Sequence, residues 1–300
     1  MADHSSDFMT KADSAGGSVS RCLLGLIGSG IQASKSPALH EAEAAAQGFQ
    51  CRYELLDLDQ LGVGIEHLPV LLAEAERRGF AGLNITYPCK QAVIPFLHEL
   101  SPQARALGAV NTVHFTGGRR IGYNTDASGF AESFRRDMAG AATDTVAQVG
   151  AGGAGAATAF ALLELGTRRL RLVDIEFSRA ESLAMSLASQ FPDREIRPSR
   201  RVEEAVCGAD GIVNATPMGM ARHPGSAVSA ALLQPGLWVA DIVYFPLSTE
   251  LLQAARAAGC RTLDGGGMAV YQAVSAFGIF TGRAADAGRM RRHFERIVAA

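Results

Sequence analysis

The sequence predicts an α/β protein of two domains, an N-terminal α/β substrate domain and a Rossmann-type doubly wound parallel sheet. Length is the first ground: 300 residues suggest two domains, each able to bury its own core. The second is a rhythm of short apolar strands and amphipathic helices from Cys22 onward, which builds parallel sheets. The third is residues 146–174, VAQVGAGGAGAATAFALLELGTRRLRLVD. A buried strand stops at Gly150-Ala151-Gly152-Gly153-Ala154-Gly155, a helix of small apolar residues covers 156–165, and a strand at 170–173 closes on Asp174. A dinucleotide-binding unit requires that order. Gly150 permits the tight turn, Gly152 lets backbone approach a pyrophosphate, and Gly155 lets helix and strand pack closely. The free N–H groups and positive dipole end of the helix then face the phosphates. A glycine-rich turn alone is often only a turn. Both strands, the helix and an acid 19 positions after Gly155 distinguish this one from an empty sheet.

Bulk properties exclude several classes. A formal net charge of -2 argues against a nucleic-acid binder. No window approaches the roughly 18 uncharged apolar residues of a membrane span. Five scattered cysteines form no CxxC pair, and seven histidines show no metal-ligand spacing, so no disulfide framework and no metal is expected. A reducing cytosol is the default, and a cytoplasmic location follows as an expectation. Residues 1–20 hold few bulky apolar side chains and no apolar core of a signal peptide, and read as a disordered tail.

Taken in order, residues 22–27 form a strand ending in Gly28-Ser29-Gly30. Ser34-Lys35-Ser36-Pro37 then opens a helix, with Ser36 as N-cap, Pro37 at the first helical position and Gly48 as stop. The two serines either cap the helix or bind a polar ligand. Residues 52–58 read as a strand, 67–78 as an amphipathic helix and 80–86 as a further strand. Asn84, Thr86, Pro88 and Lys90 stand at its carboxyl end, where α/β sheets bind ligands, although an isolated lysine there is often merely solvated. Residues 91–100 and 101–107 read as two short helices. Strands at 111–115 and 120–124 flank the hairpin loop Thr116-Gly117-Gly118-Arg119. Asp126 opens a helix over about 127–139, where N-capping competes with a functional role. Beyond Asp174 come a helix at 178–189 and a strand at 211–214 that runs into Asn214-Ala215-Thr216-Pro217-Met218-Gly219. A strand at 237–241 precedes Tyr244, Pro246 and a helix at 249–258. The last strand, 262–264, leads into Gly265-Gly266-Gly267-Met268 and a helix through 280. A polar surface helix over 283–298 ends the chain.

Seven of these pieces resemble, in order, the shikimate dehydrogenase family, including its quinate/shikimate dehydrogenase branch. They are Ser34-Lys35-Ser36-Pro37, Asn84-Ile85-Thr86-Tyr87-Pro88-Cys89-Lys90, Gly108-Ala109-Val110-Asn111-Thr112, Asn124-Thr125-Asp126, the glycine turn, Asn214 to Met220, and Asp264-Gly265-Gly266-Gly267-Met268 with Gln272. The resemblance implies reversible hydride transfer between a nicotinamide cofactor and the C3 hydroxyl of shikimate or quinate. It implies that Lys90 and Asp126 are the catalytic pair and that Ser34 and Ser36 hold the substrate carboxylate. Thr86, Asn111, Gln272 and Asp126 would bind ring hydroxyls, with Tyr244 also on the substrate side. Gly150, Gly152, Gly153, Ala154, Gly155 and Asp174 would bind the dinucleotide, and Asn214, Thr216, Gly265 and Met268 would line its nicotinamide side.

Such an oxidation needs an acid/base within hydrogen-bond reach of the reacting hydroxyl, a role worth about 10²–10⁴-fold. Asp174, in place of the Asn-Arg that resembling biosynthetic enzymes carry, points to NAD and disfavours NADP. The Ser-Lys-Ser loop leaves shikimate against quinate open. The domain division expected is 21–125, completed by 266–300, as substrate domain and 126–265 as dinucleotide domain, in a monomer or homodimer. Two other readings stay open: a related enzyme on an amino-substituted or otherwise modified cyclohexene acid, and a non-catalytic nucleotide-binding sensor. Cys89, beside Lys90, reads as packing, because no His–acid partner for a thiol nucleophile is evident.

Overall fold

The computed structural model describes residues 21–299; the tail read at 1–20 lies outside the described residues. The first strand, β1 (Arg21–Gly28), leads through the serine loop to α1 (Ser36–Ala46), then β2 (Gln50–Asp57), the single turn α2 (Leu58–Leu61), α3 (Leu68–Arg77) and β3 (Gly82–Ile85). There follow α4 (Cys89–Ala92), β4 (Glu99–Leu100), α5 (Pro102–Leu107), β5 (Thr112–Thr116) and β6 (Arg119–Tyr123). These six strands make one sheet in the order β2-β1-β3-β5-β6-β4.

That sheet is mixed. β5 runs antiparallel to both β3 and β6, because Gly117 (φ +54°) and Gly118 (φ +70°) supply the two positive φ angles of a tight hairpin. Of the two helices read over 91–107, the first is also corrected. Pro95, in a 3₁₀ turn, cannot continue α4, since it lacks an N–H and clashes with the preceding turn. The chain then runs beside β6, with His98 N–H donating to Arg120 O at 2.9 Å and Ser101 N–H to Gly122 O at 2.8 Å. The second helix is present as α5, capped by Ser101.

The second half begins with α6 (Asp126–Asp137), β7 (Thr145–Val149), α7 (Gly153–Glu164), β8 (Arg169–Val173) and α8 (Phe177–Gln190). It continues through β9 (Glu195–Ser199), α9 (Val202–Val206), β10 (Gly211–Asn214), β11 (Trp238–Asp241), α10 (Glu250–Ala257), β12 (Arg261–Leu263), α11 (Gly265–Thr281) and α12 (Ala287–Ala299). All its strands are parallel, in the order β12-β11-β10-β7-β8-β9. Counted from β7 this is the 3-2-1-4-5-6 order of the doubly wound dinucleotide fold, with its switch point between β7 and β10. β9 and α9 have no counterpart in the sequence reading. β9 is the sheet's edge, charged and holding Pro198, a residue that only an edge strand tolerates.

The chain then returns to its first half. Met290 and Phe294 of α12 pack with Leu39 of α1 and with Val270 and Ala273 of α11, so the last helix is anchored rather than merely superficial. The Glu43 carboxylate, on the buried side of α1, accepts from Arg289 Nε and Nη2, both at 2.7 Å, and from Asp286 N–H at 2.9 Å. α6 and α11 cross closely at Gly129, where a Cβ would lie 2.8 Å from Gln272 N. Among the described residues no helix is long and apolar enough to cross a membrane, and no cluster of three or more His, Cys, Asp or Glu could hold a metal.

Candidate active site

Carboxyl ends of strands from both sheets carry the candidate residues. At the end of β1, a Cβ on Gly28 would lie 2.3 Å from Thr86 Cγ2, so glycine lets the loops after β1 and β3 meet. Asp57, at the end of the neighbouring β2, fixes the loop that leads to the serines. Its carboxylate accepts from Gly30 N–H (3.0 Å), Ile31 N–H (3.1 Å) and Gln32 Nε2 (2.9 Å). Burial alone would raise the pKa of Asp57, but these donors overcome it and hold the carboxyl below its ordinary range. The sequence reading missed Asp57, although an acid ending a strand beside a Gly-Ser-Gly turn is a usable signal.

The capping expectation at Ser36 is overturned. Ser36 is the first helical residue, Lys35 occupies the cap position without a side-chain bond, and Ser34 Oγ accepts from Ser36 N–H at 3.3 Å. Pro37 starts the helix so readily that the turn preceding it, not Ser36, closes the N-terminus. Both serines are half-buried.

Lys90 and Asp126, 36 residues apart, meet: Nζ donates to Asp126 Oδ2 at 2.6 Å. Asp126 is the first residue of α6, not its cap, so its side chain is free for other partners. Asn111 Nδ2 donates to Asp126 Oδ1 at 2.8 Å and to Thr125 Oγ1 at 2.9 Å. Thr125 Oγ1 in turn lies 3.5 Å from Gln272 Oε1, which brings α11 to the group. Behind it runs a buried polar chain: Tyr53 Oη donates to Asn84 Oδ1 (2.8 Å), Asn84 Nδ2 to Thr112 Oγ1 (3.1 Å), and Thr112 Oγ1 to Asn111 Oδ1 (3.0 Å). Tyr53 was not among the sequence candidates. Cys89 is fully buried and burial pushes its thiol up to about 11, which accords with packing. Thr86 directly follows β3 and is half-buried, and its carbonyl accepts from Cys89 N–H at 2.8 Å.

On the second sheet, Gly150 adopts φ +104°, and a Cβ there would lie 2.6 Å from Ala215 O. A Cβ on Gly155 would strike Gly150 O at 2.3 Å, whereas Gly152 and Gly153 open into free space. The turn is therefore close-packed behind and open in front, which fits a pyrophosphate against the N–H groups of α7. That helix begins at Gly153 rather than at 156, with Ala154 in its first turn. Asp174 directly follows β8, and its carboxylate accepts from Ala151 N–H (2.7 Å) and Glu176 N–H (2.9 Å). Arg179 is paired with Glu176 at 2.8 Å.

Asn214 and Thr216 form a second knot: Asn214 Oδ1 accepts from Thr216 Oγ1 at 2.6 Å, and Asn214 Nδ2 donates to Asp241 Oδ1 at 2.9 Å. Burial raises the pKa of Asp241, and donors from Thr249, Val243 and Asn214 oppose the rise. Gly265 N–H donates to Val243 O, and Met268 is buried one turn further along α11. Tyr244 is exposed on the loop after β11 and is not joined to the Lys90 group. The loops of the two sheets do approach each other: Lys35 Nζ lies 5.9 Å from the centroid of the Phe245 ring.

A doubly wound sheet with an open glycine turn, joined to a second α/β sheet bearing a lysine–carboxylate pair, defines a two-domain dinucleotide-binding protein. Comparison with known proteins makes this specific. A family model described as shikimate dehydrogenase substrate binding domain matches residues 26–113, and one described as shikimate 5'-dehydrogenase C-terminal domain matches 265–293. A shikimate dehydrogenase (NADP(+)) of Streptomyces avermitilis is 56% identical over 270 residues, covering 89% of this chain and 93% of the relative. A quinate/shikimate dehydrogenase (NAD(+)) of Corynebacterium efficiens is 49% identical over 275 residues, 91% of this chain and 97% of the relative. The solved quinate dehydrogenase from Corynebacterium glutamicum in complex with NAD superposes with a TM-score of 0.87 at 47% identity, over 92% of this chain and 99% of that one. The chain belongs to the shikimate dehydrogenase family.

Proposed function

We propose that this protein is an NAD-linked dehydrogenase that interconverts the C3 hydroxyl of shikimate or quinate and the corresponding ketone. The observation that carries the reading is the 2.6 Å contact of Lys90 Nζ with Asp126 Oδ2, braced by Asn111. In the reducing direction the Lys90 ammonium delivers a proton to the carbonyl oxygen, and in the oxidising direction the neutral Lys90 amine takes the proton from the hydroxyl. Asp126 and Asn111 aim it, and with Thr86 and Gln272 they bind the ring hydroxyls. Ser34 and Ser36, at the start of α1, hold the carboxylate, and Tyr244 closes the substrate side. The bound nicotinamide supplies or accepts the hydride. Asn214, Thr216, Gly265 and Met268 line its place, while Gly150, Gly152, Gly153, Ala154 and Gly155 seat the pyrophosphate. Residues 21–125 with 266–300 then serve as the substrate domain and 126–265 as the cofactor domain.

The preference for NAD rests on Asp174, which stands where the ribose 2′-hydroxyl is bound in this fold. NADP is the second reading, favoured by the name of the Streptomyces relative. A grid of kcat/KM values for shikimate and quinate against NAD and NADP decides between them. Lys90→Ala tests the chemistry: kcat falls by about 10²–10⁴ while the KM for the cofactor stays nearly unchanged. More than about a tenth of wild-type turnover in that variant refutes the acid/base role.

A further inference from the structure

A thiol pair lies at the other end of the first sheet. Cys22 and Cys51 are register partners in the parallel β1–β2 pair. Register partners of parallel strands point to one face, on backbones about 4.7–4.9 Å apart. That spacing lies within the Cα separation of about 4.4–6.8 Å that disulfides span. β2 is the edge strand, held on one side only, so its first residues can adjust to a cross-link. Both thiols are free and half-buried, packed beside Phe49 and Phe277. They also line a cavity of about 440 Å³ that Glu41, Gln50 and Arg52 share.

The two sulfurs are not equivalent. The neighbouring Cys51 holds the Cys22 thiol below its ordinary range against the opposing effect of burial. The proximity of Cys22, together with burial and the nearby charge of Glu41, pushes Cys51 up. The other cysteines lack such an arrangement: burial raises the thiols of Cys89 and Cys260, and Cys207 is exposed on the surface.

We propose that Cys22 and Cys51 form a reactive dithiol for small-molecule disulfides, with Cys22 as the attacking sulfur and Cys51 as the resolving one. The Cys22 thiolate attacks one sulfur of glutathione disulfide, forming a mixed disulfide and releasing one glutathione thiolate. Cys51 loses its proton to solvent and attacks the Cys22 sulfur. The second glutathione leaves and a Cys22–Cys51 disulfide remains. Two electrons pass from the dithiol to one glutathione disulfide, giving two glutathione thiols. Gly28, where the serine loop begins, is six residues beyond Cys22 (28 − 22), or roughly 20 Å along the strand. Turnover is therefore insensitive to the modification, and the dithiol stands or falls independently of the proposed dehydrogenase reaction.

The test uses the full chain with Cys207→Ser, which leaves four of the five thiols (5 − 1), and glutathione disulfide as the probe. Native protein of this background loses two thiols, retains no glutathione, and yields a peptide pair joined through Cys22 and Cys51. Adding Cys51→Ser traps one glutathione on Cys22, whereas adding Cys22→Ser slows modification by about tenfold or more, reflecting the lost thiolate. Neither cysteine touches the candidate site, so wild-type turnover reports that each variant is folded. Retention of all four thiols overturns the proposal. So does glutathione that stays on the background protein, or a Cys22→Ser variant that reacts within about threefold of Cys51→Ser.

Discussion

His40 makes the stability of this protein acid-sensitive by a calculable amount. The ring is fully buried between Tyr53, Phe277 and Phe280, with centroids at 5.1, 6.0 and 6.1 Å, and neither Nδ1 nor Nε2 has a partner. Burial pulls its pKa down to about 3. In the unfolded chain the same imidazole takes a proton near pH 6.5. Between those two values the unfolded state binds one more proton, so stability falls as pH falls from about 6.5 toward about 3. From pH 7 to pH 5 the loss is about 2 kcal/mol, a large fraction of a typical total of about 5–15. His40→Leu removes both the titration and two unsatisfied polar atoms, a change that is often neutral or stabilising. Urea unfolding of both proteins at pH 7 and pH 5 gives the difference in stability at each pH, in which the titration of other groups cancels. The variant should gain about 2 kcal/mol on wild type over that interval. A gain below about 0.5 kcal/mol would show that the folded protein admits the protonated ring, and would refute the reasoning.

Other outcomes follow from the site and its supports. The proposed place of Asp174 at the ribose end predicts that NAD exceeds NADP by about 30-fold in kcat/KM. That figure takes about half of the roughly 4 kcal/mol repulsion between charges 4 Å apart at an effective dielectric of 20. Its two backbone donors compensate part of the charge, which is why only half is counted, and a ratio under about threefold removes the assignment. Ser36→Ala, with no cap to lose, should raise KM for the acid by about tenfold without lowering Tm, since a hydrogen bond to a charged group is worth about 1.5–3 kcal/mol. A KM within about twofold of wild type makes that serine structural only. Glu43→Ala strands Arg289 and should cost about 2 kcal/mol in urea titrations, below the figure for a fully buried pair because the arginine is partly exposed. Burial raises the pKa of Glu43, but the Arg289 bond and further donors outweigh it and leave it lowered. Its contribution is therefore present above the ordinary carboxylate pKa and lost as pH falls, and an unchanged urea midpoint in the variant contradicts it.

The second sheet was the more legible half because parallel strands buried on both faces are continuous apolar runs. β7, β10 and β11 are wholly buried, and each was read within about two residues of its observed ends. β9 was invisible for the opposite reason: at the edge, EIRPS has no apolar pattern to show. In the first sheet the failures lie at Pro95 and at Ser36. At Pro95, ring sterics outweighed helix periodicity. At Ser36, a proline at the second helical position let the helix begin one residue early.

The candidate site divides along a similar line. Lys90, Asp126 and Asp174 could be singled out because they stand at strand ends or helix starts, where the backbone argument selects positions, whereas Asn111 came only from the family resemblance. Tyr53 and Thr112 could not be ranked that way, since their importance lies in the bonds they make to Asn84, 31 and 28 residues distant. A tyrosine on β2 reads as an ordinary strand residue until its phenol is found buried and bonded to Asn84. Pairwise reach of this kind depends on strand order, and the order β2-β1-β3-β5 is not written in any local pattern. The candidate acid/base and cofactor groups are thus marked by local signals, whereas the buried polar residues bonded behind them are fixed by topology. Unpaired, each of those buried groups would cost about 1–3 kcal/mol, so the alignment of Asn111 on Asp126 is enforced by the core rather than by the loop.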